Sequence, residues 1–141
     1  MKDTIRQIDI AGYPFSVEVV ESHEKRAKGL MDRKYLHNGT GMLFKMDGGP
    51  AQFHMKNTLI PLDILYLDDN GTILKKDQMR PHIGRSQCSG DVHRVLELPA
   101  GTCDELSVGV GDVIEVDQGS IIRETVYEIL LYKWKRCHKS S

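Results

Sequence analysis

Hydrophobic and polar positions alternate with period two at the start of the chain. Ile8 and Ile10 flank Asp9, and Phe15, Val17 and Val19 alternate with Ser16 and Glu18, predicting an antiparallel hairpin around Gly12-Tyr13-Pro14. The period then lengthens. Ala27, Leu30 and Met31 stand at i, i+3 and i+4 behind Ser22, a capping residue, and Glu24, an acid suited to a first turn. This predicts a helix from near His23 with one stripe facing the core. Gly29 weakens a helix interior by about 1 kcal/mol relative to alanine, so it either serves close packing or marks an early end. If the helix continues, Arg26 and Arg33 project from one face and aim two cations in one direction.

A short strand is predicted from Met42 to Met46, followed by the turn Asp47-Gly48-Gly49-Pro50. Phe53 and Met55 then alternate with His54 and Lys56, and Pro61 forbids helix beyond them because it lacks an amide hydrogen and restricts its predecessor. Ile64 to Leu67 is apolar on both faces, as a doubly buried strand requires. Asp69-Asn70-Gly71 predicts a type I′ hairpin turn into a partner strand from Thr72 to Lys75. Residues 77 to 91, with few apolar positions, read as an irregular loop. Val92, Val95, Leu96 and Leu98 predict a further strand. Thr102 and Glu105 are spaced as a capping box for a brief helix, and Val113 to Val116 read as a last strand. Beyond it, Ile122, Val126 and Ile129, and a second stripe of Tyr127, Leu130, Leu131 and Trp134, follow helical spacing into a basic tail. The pattern predicts a mainly β (α+β) domain over 1–116 with two short helices, and an amphipathic helical extension over 117–141.

Length and composition narrow the function classes. A chain of 141 residues forms one domain by default and buries a core without staples. A net charge of −1 gives no global field for nucleic acid or an anionic membrane. The three cysteines, Cys88, Cys103 and Cys137, show no CxxC spacing, and no disulfide framework is expected. The opening MKDTIRQIDI lacks the apolar stretch of a signal peptide and no run reaches membrane-spanning length, so the cytoplasm is the expected location.

Several segments, in order and spacing, resemble a prokaryotic family catalogued as domain of unknown function 192. They are RAKGLMDR at 26 to 33, GMLF at 41 to 44, MKNTLIPLDILYLDDNG at 55 to 71, VLELPAG at 95 to 101 and GVGD at 109 to 112. The resemblance implies a compact, mostly antiparallel, β-barrel-like structure with short helices. It implies no activity, since the family's function is unsettled. Members commonly carry a Trp before the MKNT motif, where this chain has His54, so the resemblance implies a packing role at that position. Many members also carry an export signal.

The densest polar cluster groups Arg26, Arg33, His54, Lys56, Asn57, Thr58 and Asp63 as ligand-binding candidates. Arginine forks suit carboxylate or phosphate, and Lys56, Asn57 and Thr58 add donors near a strand end, so a small anionic ligand fits the inventory. The structural alternative has equal weight: Asn57 and Thr58 bond turn amides, and Asp63 pairs internally. His82, Cys88, His93 and Cys103 match no compact metal motif, and neither a phosphate loop nor a nucleophile elbow is present, so no metal, cofactor or catalytic residue is expected. Tyr127, Leu131, Trp134 and Lys135 are partner-binding candidates for a homo-oligomer or host complex. The function expected is a non-catalytic binding or accessory module with a small-anion pocket. The alternative is a hydrolase-like enzyme using His54 or Asp63 as acid-base group.

Overall fold

The computed structural model describes residues 4–116 and the backbone of Ile121–Ile122. Strands β1 (Thr4–Ile10) and β2 (Tyr13–Val20) form the expected hairpin, with Ile10 opposite Tyr13. Its turn is Ala11-Gly12, both left-handed at φ 52° and 86°, so Tyr13 and Pro14 already belong to β2. Two positive φ values in a two-residue loop match the twist of the strands they join.

Helix α1 (His23–Lys28) starts as predicted, with the Lys25 amide donating to the Ser22 hydroxyl at 3.2 Å. It stops at Gly29, which takes φ 49° and donates its amide to the Lys25 carbonyl at 2.9 Å. Of the expected Ala27–Leu30–Met31 stripe, only Ala27 is therefore helical. No α1 residue is buried, whereas Leu30, just past the end, is. Glycine supplies the positive φ at the stop, and the Phe44 ring lies 3.5 Å from where a Cβ on Gly29 would stand.

The chain returns as β3 (Thr40–Lys45), parallel to β2. Strand β4 (Ala51–His54) leaves the main sheet, and β5 (Leu62–Leu67), buried at every residue, enters it between the edge strand β6 (Ile73–Met79) and β8 (Arg94–Pro99). At the β5–β6 turn only Gly71 takes positive φ, at 83°. Asp68 holds the turn instead, its carboxylate accepting the Asn70 and Thr72 amides at 2.9 Å each. The side-chain bonds replace the type I′ geometry expected of Asn-Gly.

The predicted loop at 77–91 is partly strand. β6 continues to Met79, and β7 (Arg85–Cys88) pairs antiparallel with β4. Helix α2 (Thr102–Leu106) forms without the expected capping box: Thr102 donates its hydroxyl to the Pro99 carbonyl at 2.6 Å, and Gly101 occupies the cap position. Of the predicted 113–116 strand, Val113 makes an isolated bridge to Thr72, while Ile114 and Val116 are buried.

The main sheet runs β6-β5-β8-β3-β2-β1-β9, where β9 is Ile121–Ile122 on the outer edge of β1. Ile122, the first position of the predicted helical spacing, thus pairs as strand with Ile5. The other positions of the helical extension, including Tyr127, Leu131, Trp134 and Lys135, lie outside the described residues. Each face of the sheet carries a core. One gathers Phe15, Val17, Leu43, Leu65, Leu96 and Leu98 with Cys103 of α2 and with Ile114 and Val116. The other gathers Met42, Phe44, Ile64, Tyr66 and Val95 with Leu30, Met55 and Cys88. The result is a mainly β, barrel-like sandwich, and not a closed barrel.

Candidate functional site

A cleft of about 420 Å³ opens on the second face, between α1, the end of β3, the 47–50 turn and β4. Its apolar wall follows from β3 and β4 placing Phe44 and Phe53 edge to face, with centroids 5.1 Å apart, and Phe53 against Tyr66 at 6.1 Å. Its polar lining includes Arg26, His54 and Thr58 from the predicted set. The Arg26 guanidinium donates to the Lys45 carbonyl at 3.0 Å, approaches Asp47 at 3.7 Å and meets the His23 ring at 3.1 Å. His54 is exposed at the end of β4, with Nδ1 accepting the Lys56 amide at 3.2 Å. The packing role implied by the family's aromatic residue is not what His54 does. Thr58 is buried, and its amide closes a turn onto the Met55 carbonyl at 2.9 Å.

The other four candidates stand elsewhere. Asn57 takes the left-handed position of the Met55–Thr58 turn at φ 58°, a conformation asparagine tolerates, and its carbonyl accepts the Asp32 amide at 2.9 Å. Lys56 is exposed in the same turn. Because α1 ends at Gly29, Arg33 does not share a helical face with Arg26; it makes a two-pronged bond to Glu18 at 2.6 and 2.7 Å. Asp63 lies on the opposite face of the sheet. Its carboxylate accepts the Gly101 amide at 3.2 Å and the Cys103 amide at 2.9 Å, so it caps α2 from a distant strand.

Sequence reasoning passed over Glu97. This residue of β8 stands between Met42 and Ile64 on the neighbouring strands and lines the cleft. It is 5% exposed, and among the described residues its carboxyl has no hydrogen-bond or ion-pair partner. Burial pushes its pKa up to about 8, with no charged neighbour contributing. The available signal was one acid in the run VLELP, where both neighbours are leucine.

Other reactive groups are quiet. Burial, with Asp63 nearby, pushes the Cys103 thiol up to about 12, well away from a thiolate nucleophile. Burial likewise raises the Tyr66 phenol to about 12, against the opposing effect of its bond to Ser86. Among the described residues no three His, Cys, Asp or Glu side chains gather as a metal site, and no helix is long and apolar enough to cross a membrane.

Fold and cleft together define a class: a β-sandwich module with a buried acid beneath a partly aromatic cleft. The chain belongs to the family catalogued as domain of unknown function 192 (uncharacterized ACR), which matches residues 4–116. A solved protein from Sinorhizobium meliloti, provisionally described as a transcription regulator, is 35% identical with a TM-score of 0.73, covering 84% of this chain and 94% of its own. A protein of unknown function from Novosphingobium aromaticivorans is 28% identical with a TM-score of 0.72, covering 79% of this chain and 83% of its own. No functionally curated protein matches the sequence.

Proposed function

We propose that the chain is a non-catalytic binding module whose cleft beside α1 seats a small organic ligand. The observation that carries this reading is Glu97, a buried carboxyl that lines the cleft without a protein partner. Leaving such a group unsatisfied costs about 1–3 kcal/mol, a cost that a bound ligand can offset. A concave site with aromatic walls and a few polar groups is also the usual form of a small-molecule pocket. The small-anion pocket drawn from Arg26, Arg33, His54, Lys56, Asn57, Thr58 and Asp63 gains no support as one site, because Arg33, Lys56, Asn57 and Asp63 are engaged or exposed away from the cleft. Of the two groups in the catalytic alternative, His54 and Asp63, the second caps α2 on the other face of the sheet, away from the cleft. A regulatory role like that ascribed to the Sinorhizobium meliloti relative is compatible with ligand sensing. Direct reading of DNA has little to work with, given a net charge of −1 and described helices of six and five residues.

A thermal-shift screen with a chemically mixed fragment set tests the proposal. Ala27 is exposed at the cleft, so Ala27→Trp obstructs the opening without disturbing the core. Fragments that raise the melting temperature of the wild type are expected to lose that shift in the variant. A set without hits, or hits that bind Ala27→Trp equally well, would remove the cleft as the binding site.

A further inference from the structure

The charges around the cleft are unevenly compensated. Arg26 faces Asp47, the Lys45 carbonyl and His23, so its guanidinium already has acceptors. Lys28 is exposed at the α1 side of the cleft, where water solvates it, and Asp47 is largely exposed. Across the sheet, Glu18 is held by Arg33, and Asp77 bonds Ser86 and lies 3.5 Å from Lys75. On β5, the Tyr66 phenol donates to Ser86. Each of these groups has a counter-group or solvent. Glu97 has no counter-group and is nearly buried, and Phe44 and Phe53 line the cleft with it.

A buried carboxyl without a donor is best complemented by a ligand that brings both charge and hydrogens. A metal ion would need further oxygen or nitrogen ligands, and no such group gathers among the described residues. A protonated amine or amidinium supplies its own donors, and aromatic rings favour a cation laid against them. We infer that the cleft takes a small organic cation, its ammonium or amidinium on Glu97 and its apolar body against Phe44 and Phe53. The inference rests on the binding reading above and specifies its ligand class.

Binding of this kind is linked to pH. With its pKa raised to about 8, Glu97 is protonated at neutral pH and must release that proton when a cation seats. Affinity for an amine should therefore rise about tenfold from pH 6 to pH 7 and flatten above pH 8. His23 and His54 also line the cleft, so the Glu97 contribution is isolated by comparison with Glu97→Gln, which preserves shape.

The test titrates the full chain with benzylamine, benzyl alcohol and benzoate, which share a ring and differ in head group, following amide NMR shifts around Phe44 and Gly48. Benzylamine is expected to bind at least tenfold more tightly than the other two. Glu97→Gln, with a dispersed spectrum confirming its fold, should lose at least tenfold of that affinity together with its pH dependence. Ala27→Trp, which leaves Glu97 untouched, should also block binding. Tighter binding of benzoate or benzyl alcohol, or a Glu97→Gln variant with unchanged amine affinity and pH slope, would overturn the cation while leaving the cleft as a binding site. If none of the three perturbs the cleft, the cation inference falls, and the fragment screen separately decides whether the cleft binds anything.

Discussion

Asp63 and Glu97 are two carboxyls with the same burial, each 5% exposed, on adjacent central strands. Asp63 stands opposite Leu98 and Glu97 opposite Ile64, one pair further along, so the two side chains leave the sheet on opposite faces. Asp63 meets the backbone amides at the start of α2, with Gln78 at 3.5 Å completing its surroundings. Glu97 meets no donor and opens on a cleft. Burial alone therefore does not mark a functional acid. The difference lies in whether the fold supplies partners: where it does, the carboxylate organises a helix, and where it does not, the carboxyl is left for something outside the chain.

The largest effect that separates them is pH dependence. Glu97 has an ordinary value of 4.5 in the unfolded chain and about 8 in the native fold. Below the lower value both states hold the proton and nothing is lost. Between the two values the unfolded chain gives up its proton while the native protein keeps it, so stability falls as pH rises through about 8. The slope is about 1.4 kcal/mol per pH unit where the difference is complete, amounting to several kcal/mol over the window. Urea unfolding from pH 5 to 8 should show this decline in the wild type and lose it in Glu97→Gln. Parallel profiles for the two proteins would mean that the acid is already satisfied in the native state.

Next in size is the loss of the satisfied partner. Asp63→Ala leaves the Gly101 and Cys103 amides without their acceptor, at about 1–3 kcal/mol for each buried group, so a loss near 3 kcal/mol is expected. Asp63→Asn keeps one acceptor oxygen and should lose roughly half of that. Neither change should alter ligand binding on the opposite face. A loss below about 1 kcal/mol for Asp63→Ala would show that α2 does not depend on this cap.

The same two acids mark how far the sequence could be read. Ile64 to Leu67, the first hairpin and the Ser22 cap were legible because each is set by residues within a few positions of one another. Strand β7 was not, because its buried side, Ser86 and Cys88, is not a conventional apolar pair, and Ser86 is held by Tyr66 and Asp77 from other strands. Thr102 and Glu105 had the spacing of a local cap, yet the acceptor comes from Asp63, 38 to 40 residues away. Glu97 was hidden for a related reason. Its isolation exists only once Met42, Ile64 and Phe44 are folded around it, and no window of neighbouring residues contains that arrangement. Of the candidate residues, Arg26, His54 and Thr58 line the cleft because two segments carrying them flank the same opening.

The smallest expected effect concerns Arg33, which the helical spacing had aligned with Arg26. Its guanidinium grips Glu18 through both nitrogens, but with side-chain exposures of 38% and 14% the pair is partly open to solvent. Screening and side-chain entropy limit such a pair to about 1 kcal/mol or less. Arg33→Met should therefore shift the urea midpoint only slightly. It should also leave fragment binding at the cleft unchanged, because Arg33 lines a neighbouring hollow with Glu18, Asp32 and Met42. Arg26→Met is the matched control: it frees Asp47 and His23 at the cleft wall and should alter fragment affinity severalfold. If Arg33→Met weakened binding as much as Arg26→Met, the two arginines would act on one ligand after all, and the division between a satisfied framework and a single open acid would have to be redrawn to include Glu18.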